Sequence, residues 1–281
     1  MLTNKIKTLD IKVKRNIDSL FLGTYKTFFK GRGLEFSDFR EYEPGDDVKT
    51  IDWIVSAREG KTFTRLYREE RELSVNFLLD LSSSMKFGLG EKTKRDSLEE
   101  LFFILSYSRV KNGDKVGAIL KDKNKFVYLN AKKGRDNIFS IASKIEENQE
   151  LGNPFSIDES ILFLNNLKIK NNLVFIVTDK LDFDERLFKI ASLKNEIIFI
   201  HIFDDFENTL LGLDGIINFV GDDGKNIIIN LNDKKKIKEY LSYRFEKLEN
   251  FRKKLAKLNI KYLKIDNKTN IYKELYKMFN K

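Results

Sequence analysis

The sequence predicts an α/β fold: a doubly wound, mostly parallel sheet flanked by helices, preceded by an N-terminal helix plus an irregular or β segment and followed by a helical extension. Three apolar runs predict the sheet, Val75 to Leu79, Leu173 to Val177 and Glu196 to Phe203. They lack polar alternation, as strands covered on both faces do. Stretches of helical period separate them, and that succession of strands and helices is the pattern of a parallel sheet with crossover helices. The first two runs end in acids, Asp80 and Asp179. Open α/β sheets bind ligands in the crevice beyond such strand ends.

Taken in order, Leu2, Ile6, Leu9, Val13, Ile17 and Leu20 recur every three or four residues and predict a helix over about 3–21. From Tyr25 to Arg71, turn residues, aromatics and charges interleave, which predicts an ordered, extended segment with Thr62 to Arg68 as a strand. A helix over Thr93 to Val110 stops at Asn112-Gly113. Two short strands, 115–120 and 125–129, flank the Asp122-Lys-Asn turn. Helices are expected over 135–147, 157–167 and 185–193. Asp222-Asp-Gly224 between two apolar runs marks a hairpin over 216–230. A long helix over 234–258 carries Tyr240, Leu241, Phe245, Leu248, Phe251 and Leu255 on one face, and a strand (261–265) and helix (271–278) close the chain. The chain divides on this reading into an N-terminal segment, 1–72, packing on the sheet, and an α/β domain, 73–281.

At 281 residues, 41% hydrophobic and 34% charged, the chain can bury a substantial core and is globular rather than disordered. It has no cysteine, which excludes disulfides and thiolate metal sites and suits a reducing cytoplasm. Met1 to Asp10 lacks the apolar core of a secretory signal, and no run of about 18 apolar residues exists to span a membrane. The expectation is a soluble, cytoplasmic protein. The net charge of +9 is spread along a Lys-, Asn- and Ile-rich sequence. It comes with no interleaved basic and aromatic motif, so no specific nucleic-acid site is expected.

Beyond the first acidic strand end comes Asp80-Leu-Ser82-Ser-Ser84. Hard oxygen donors at alternate positions of a tight loop can face one cation of the magnesium type. The same residues also suit a turn in which hydroxyls and carboxylate brace backbone N–H groups. If the two buried strands are neighbours, Asp179 joins Asp80, Ser82 and Ser84 around one point, and the loop Gly152-Asn-Pro-Phe-Ser156 can add a further donor.

Asp80-x-Ser82-x-Ser84, a hydroxyl loop farther on and a strand-end acid together resemble the metal-ion-dependent adhesion site of von Willebrand factor A domains. The run from Gly31-Arg-Gly-Leu-Glu35 through Pro44-Gly-Asp-Asp47 and Ile51-Asp-Trp53 to Glu69-Glu-Arg-Glu-Leu73 is similar, nearly residue for residue, to the bacterial domain-of-unknown-function 58 family. The resemblance implies a von Willebrand factor A-like domain and a metal set of Asp80, Ser82, Ser84, Ser156 and Asp179, with Ser156 where such sites usually have Thr. Ser keeps the oxygen and loses the methyl group that stiffens Thr. Asn153 and Thr178 are secondary donors. The ion implied is Mg2+, with Mn2+ or Ca2+ as substitutes, or the site is empty. The family also implies a MoxR-type AAA+ ATPase as partner and an adaptor role toward a client protein, without catalysis.

Two carboxylates and neutral hydroxyls leave a divalent ion partly unneutralised, so a partner's acidic side chain can complete its shell. An alternative is a metal-assisted phosphohydrolase with Asp80 as nucleophile, although Ser82 stands where the haloacid-dehalogenase type needs a second acid. A third is nucleic-acid binding through the basic surface. His201, the only histidine, sits in an apolar strand and reads as a core residue. Trp53, the only tryptophan, is expected to anchor the N-terminal segment internally. Arg40, Arg58, Arg65 and Arg71 are expected to pair with nearby acids and fix that segment against the sheet.

Overall fold

The computed structural model describes residues 5–10, 13, 34–69, 73–122, 125–148, 155–211, 213–220, 226–266 and 268–279. The chain forms two compact units, residues 24–73 on the one hand and residues 1–23 with 74–281 on the other. Helix α1 (residues 5–10) opens the described chain. It belongs with the sheet unit rather than with the segment that follows. Lys5 reaches Asp96 and Glu99 at 2.8 Å each, and Ile6 is buried. Of the helix expected over 3–21, the remainder lies outside the described residues, apart from residue 13, which is also helical.

In the smaller unit, β1 (Leu34–Glu41) pairs antiparallel with β2 (Phe63–Glu69). A register shift between Phe36 and Asp38 puts an extra residue into β1. Such a bulge breaks the two-residue period by which a strand is recognised, and for that reason β1 read as irregular. Helix α2 (Trp53–Glu59) lies between the strands. Asp52 caps it by accepting from the N–H groups of Ile54 and Val55 and holds Arg65 at 2.7 Å. Trp53 is 66% exposed and Ile54 80%. Trp53, expected as an interior anchor, is therefore at the surface, and the buried residue at this point is Asp52. Arg40 pairs with Asp46 at 2.6 Å within the same unit, while Arg58 is exposed beside Glu59. Arg71 lies outside the described residues.

In the larger unit the strands are β3 (Ser74–Leu79), β4 (Lys115–Asp122), β5 (Lys125–Lys132), β6 (Leu173–Thr178), β7 (Glu196–Phe203) and, beyond the β8 (Ile216–Val220) and β9 (Asn226–Asn230) hairpin, β10 (Lys261–Asp266). They form one sheet in the order β10-β7-β6-β3-β4-β5, parallel except for β5 at its edge. Numbered along this sheet alone, the order is 3-2-1-4-5-6 read from the β5 edge. That is the doubly wound arrangement, with its topological switch point between β3 and β6.

The helices that cover this sheet are α3 (Lys94–Lys111), α4 (Arg135–Glu147), α5 (Ile157–Asn166), α6 (Glu185–Lys194), α8 (Lys234–Lys257) and α9 (Ile271–Phe279), with a single turn, α7 (Phe206–Thr209), after β7. Leu78, Ile176 and Phe199 pack with Ile161, Phe188, Phe251 and Leu255 of α5, α6 and α8. Phe77 stacks on Phe175 and meets Phe102 of α3 edge to face at 5.1 Å. Each such fully buried Phe or Leu is worth about 1.5–3 kcal/mol of transfer free energy.

Helix α8 meets the sheet only through its C-terminal turns. Phe245, placed on the packed face from sequence, is 67% exposed. The earlier turns instead set Ile237, Tyr240 and Leu241 against Phe206, Leu210 and Ile229. The hairpin turn Asp222–Gly224 lies outside the described residues. His201 is a buried core residue, with Nδ1 3.0 Å from the Tyr262 hydroxyl. Burial, then the Arg244 charge, push the imidazole well below its ordinary range, so it is neutral. No helix among the described residues is long and apolar enough to cross a membrane.

Candidate functional site

The switch point brings Asp80 and Asp179 together. The Asp80 N–H donates to the Val177 carbonyl at 3.0 Å, which carries the β3–β6 ladder one residue past β3. The chain then turns, because Asp80 Oδ1 accepts the N–H of Ser82 at 2.9 Å, the side-chain-to-backbone bond through which Asp starts turns. A 3-10 turn, Ser83–Lys86, follows, and Ser82 at its head spends no hydroxyl on capping it. That hydroxyl lies 3.0 Å from Ser84 Oγ, and Ser84 Oγ donates to Asp179 Oδ1 at 3.1 Å. The Thr178 hydroxyl donates to Asp80 Oδ2 at 2.6 Å.

Asp80, Ser82, Ser84 and Asp179 thus form one linked cluster, together with Thr178. Ser156 is used differently: it caps α5 by accepting the Glu159 N–H at 3.3 Å, with no hydrogen bond to the other four among the described residues. Asn153 lies outside the described residues.

Three side chains of the cluster carried no clear sequence signal. Lys94 is 1% exposed, and its Nζ donates to Asp179 Oδ2 and to Glu207 Oε1 at 2.7 Å each, with the Phe87 ring 5.7 Å away. Glu207, in α7, is held in turn by Arg244 of α8 at 3.0 Å. Asp204, fully buried at the end of β7, accepts from Leu89 N–H at 2.9 Å and Phe206 N–H at 2.8 Å, tying the loop after the serines to α7. One signal could have found Lys94. It is the first residue of α3, where the helix dipole disfavours a cation, so its placement there requires acids from elsewhere.

The two carboxylates differ in character. Burial, and then the charge of Asp179, push the Asp80 carboxyl up to about 6, against the hydrogen bonds from Ser82 and Thr178. Burial also opposes ionisation of Asp179, but Lys94 and then Lys180 outweigh it and hold this carboxyl down at about 2. Burial of Lys94 is likewise outweighed by Asp179 and Glu207, and its ammonium is raised further above the ordinary lysine range.

The donor set, carboxylates and hydroxyls, suits a hard cation in type. Thr178 and Lys94 occupy the far oxygens of the two carboxylates, and the near oxygens keep lone pairs for a ligand. Among the described residues no three His, Cys, Asp or Glu side chains converge as a metal-ligating group. Any ion here relies on hydroxyls as well as carboxylates.

A family model described as "Protein of unknown function DUF58" matches residues 38–247, the greater part of the sequence. The chain belongs to the DUF58 family. The DUF58 match contains Asp80, Ser82, Ser84, Ser156 and Asp179, and also Lys94, Glu207 and Arg244. Two similar proteins are "Uncharacterized protein Rv1480" of Mycobacterium tuberculosis and "Uncharacterized protein Mb1516" of Mycobacterium bovis. Each is 30% identical over 132 residues, 47% of this chain and 42% of the relative. The match thus spans less than half the length of these curated relatives. Among solved structures, "conserved hypothetical protein BatB" from Bacteroides thetaiotaomicron aligns over 74% of this chain and 100% of its own, at 17% identity and a TM-score of 0.45.

Proposed function

We propose that this DUF58 protein is a non-enzymatic, cation-dependent protein-interaction module. Asp80, Ser82, Ser84 and Asp179 hold a divalent ion, Mg2+ in the cell with Mn2+ or Ca2+ as substitutes, and an acidic side chain of a partner docks on it. The bound ion supplies a Lewis-acidic point that accepts one outside oxygen. The observation that carries this reading is the meeting of two strand-end carboxylates, Asp80 and Asp179, with the Ser82 and Ser84 hydroxyls at the switch point between β3 and β6. Ser156 is left out of the ion-holding set because its hydroxyl makes no hydrogen bond to the other four among the described residues.

The partner proposed is a MoxR-type AAA+ ATPase acting with this chain on a client protein in the cytoplasm. That part rests on the family resemblance. A phosphohydrolase using Asp80 as nucleophile has less support, since Ser82 stands where that chemistry needs a second acid. Pull-down of the ATPase by the full chain tests the proposal. Retention is expected in Mg2+ and not in chelator, and it is expected to be lost in Asp80→Ala with the circular-dichroism spectrum unchanged. Retention that survives both chelator and Asp80→Ala refutes it.

A further inference from the structure

We propose that the N-terminal half of α8 is a docking surface for a bilayer of anionic phospholipid, a role separate from the cation site. No residue of α8 before Phe251 is buried. Along one flank of this half runs a groove of about 470 Å³, lined by Lys234, Ile237, Lys238, Leu241, Ser242 and Phe245. Residues three and four apart share a helix face, which is why two lysines and three apolar side chains meet there. Ile237 and Leu241 reach inward to Phe206, Leu210 and Ile229, whereas Phe245 is left uncovered.

Charge names the occupant. Lys234, Lys235, Lys236 and Lys238 are exposed, none has an ion pair among the described residues, and no acid lines the groove. Asp233 is spent on capping the helix, and Glu239 and Glu246 stand roughly 100–120° round it from Phe245. The apolar exposure also extends past the groove. Leu211, Ile216 and Ile228 are exposed, each the chain neighbour of a residue packed in the same small core, Leu210, Ile217 or Ile229. One peptide helix laid in the groove would leave these residues, Lys235 and Lys236 untouched. A fluid surface of diffuse negative charge meets all of them, taking up apolar side chains while the lysine heads stay at the phosphates.

The test sediments the full chain, in chelator, with vesicles of phosphatidylcholine and phosphatidylglycerol in equal parts and with vesicles of phosphatidylcholine alone. Sedimentation is expected with the first only, and is expected to fall as salt is raised. Lys234→Gln with Lys238→Gln is expected to weaken it about fivefold per lysine, and Phe245→Ser about tenfold. Lys253→Gln with Lys257→Gln removes the same charge from exposed positions at the other end of α8, and is expected to leave binding nearly unchanged. All these positions are exposed, so the circular-dichroism spectrum is expected to hold. Equal sedimentation with the two vesicles, or with neither, overturns the inference. So does an equal loss from the two lysine pairs, the mark of adsorption by net charge alone. Loss of the ATPase from Phe245→Ser in the pull-down above, with vesicle binding intact, gives the groove to a protein and overturns it as well. Because chelator is present throughout, failure with vesicles leaves the cation reading standing.

Discussion

Asp80→Asn in the ion-free protein offers a direct reading of what the switch point costs the fold. The folded carboxyl titrates at about 6, raised by burial and by Asp179 from a reference value of 3.8. A carboxyl raised in the folded state contributes stability that is fully present below the unfolded value and is lost as pH climbs through the folded one. Stability is therefore expected to fall between about pH 4 and 6. Asp179 works in the opposite sense: held at about 2, it contributes stability above its unfolded value and loses it as pH drops toward 2, so the two windows barely overlap. About two pKa units at 1.36 kcal/mol each give at most about 3 kcal/mol lost at Asp80 by neutral pH.

Asn keeps the acceptor for the Ser82 N–H and removes the charge. Its amide must share the Thr178 hydroxyl, which already accepts the Lys180 N–H at 3.1 Å, at a cost of about 1 kcal/mol. The net gain expected is about 1–2 kcal/mol at pH 7 in chelator, or roughly 2–4 °C of melting temperature per kcal/mol. Differential scanning calorimetry of wild type and Asp80→Asn between pH 4 and 7 measures it, and the gain is expected to shrink toward pH 4. Added Mg2+ is expected to stabilise the wild type alone. An Asn variant less stable than wild type by the same margin at pH 4.5 and pH 7 refutes the claim that an ionised Asp80 strains the empty site.

Thr178→Val removes the hydroxyl that donates to Asp80 Oδ2 at 2.6 Å while nearly keeping its volume; a loss of about 1.5–3 kcal/mol in urea unfolding is expected. Gly117→Ala places a Cβ 2.6 Å from Asn76 Oδ1, 2.9 Å from the Ala131 nitrogen and 2.9 Å from the Leu129 oxygen. Two of these atoms are backbone and cannot yield, so about 1–3 kcal/mol of destabilisation is expected in the same assay. Asp114→Ala takes away the carboxylate to which Arg109, 1% exposed in α3, donates at 3.1 Å. Removing this partner of a buried guanidinium is expected to cost about 3–5 kcal/mol, read as a shift in the thermal midpoint.

Much of the sheet was legible because its strands need no context to be recognised. Glu196–Phe203 and helix Arg135–Glu147 fall at the expected bounds, since an unbroken apolar run and a clean 3.6-residue period each have one low-energy reading. The bulge in β1 erased the period that would have revealed it. Trp53 misled because bulk and aromaticity argue for burial, whereas the Asp52 cap fixes which way the next residue points. At the site, Asp80, Ser82 and Ser84 were legible because they are local. Asp179 was legible because a strand-end acid is informative once β3 and β6 are neighbours. Lys94 and Glu207 were not, because what defines them is a meeting of α3, β6 and α7, and no spacing along the chain records it.

The β3–β6 adjacency also decides when the site can exist. Asp80 and its Thr178 partner are 98 residues apart in the chain, and strand pairing across so long a separation closes late because its loop entropy must be met before any contact rewards it. A chain emerging from the ribosome with β3 to β5 already made presents the serine loop without Asp179, Thr178 or Glu207. No docking point is on offer until β6 has slotted beside β3. A partner of the kind proposed above would thereby read the closing of β6 onto β3.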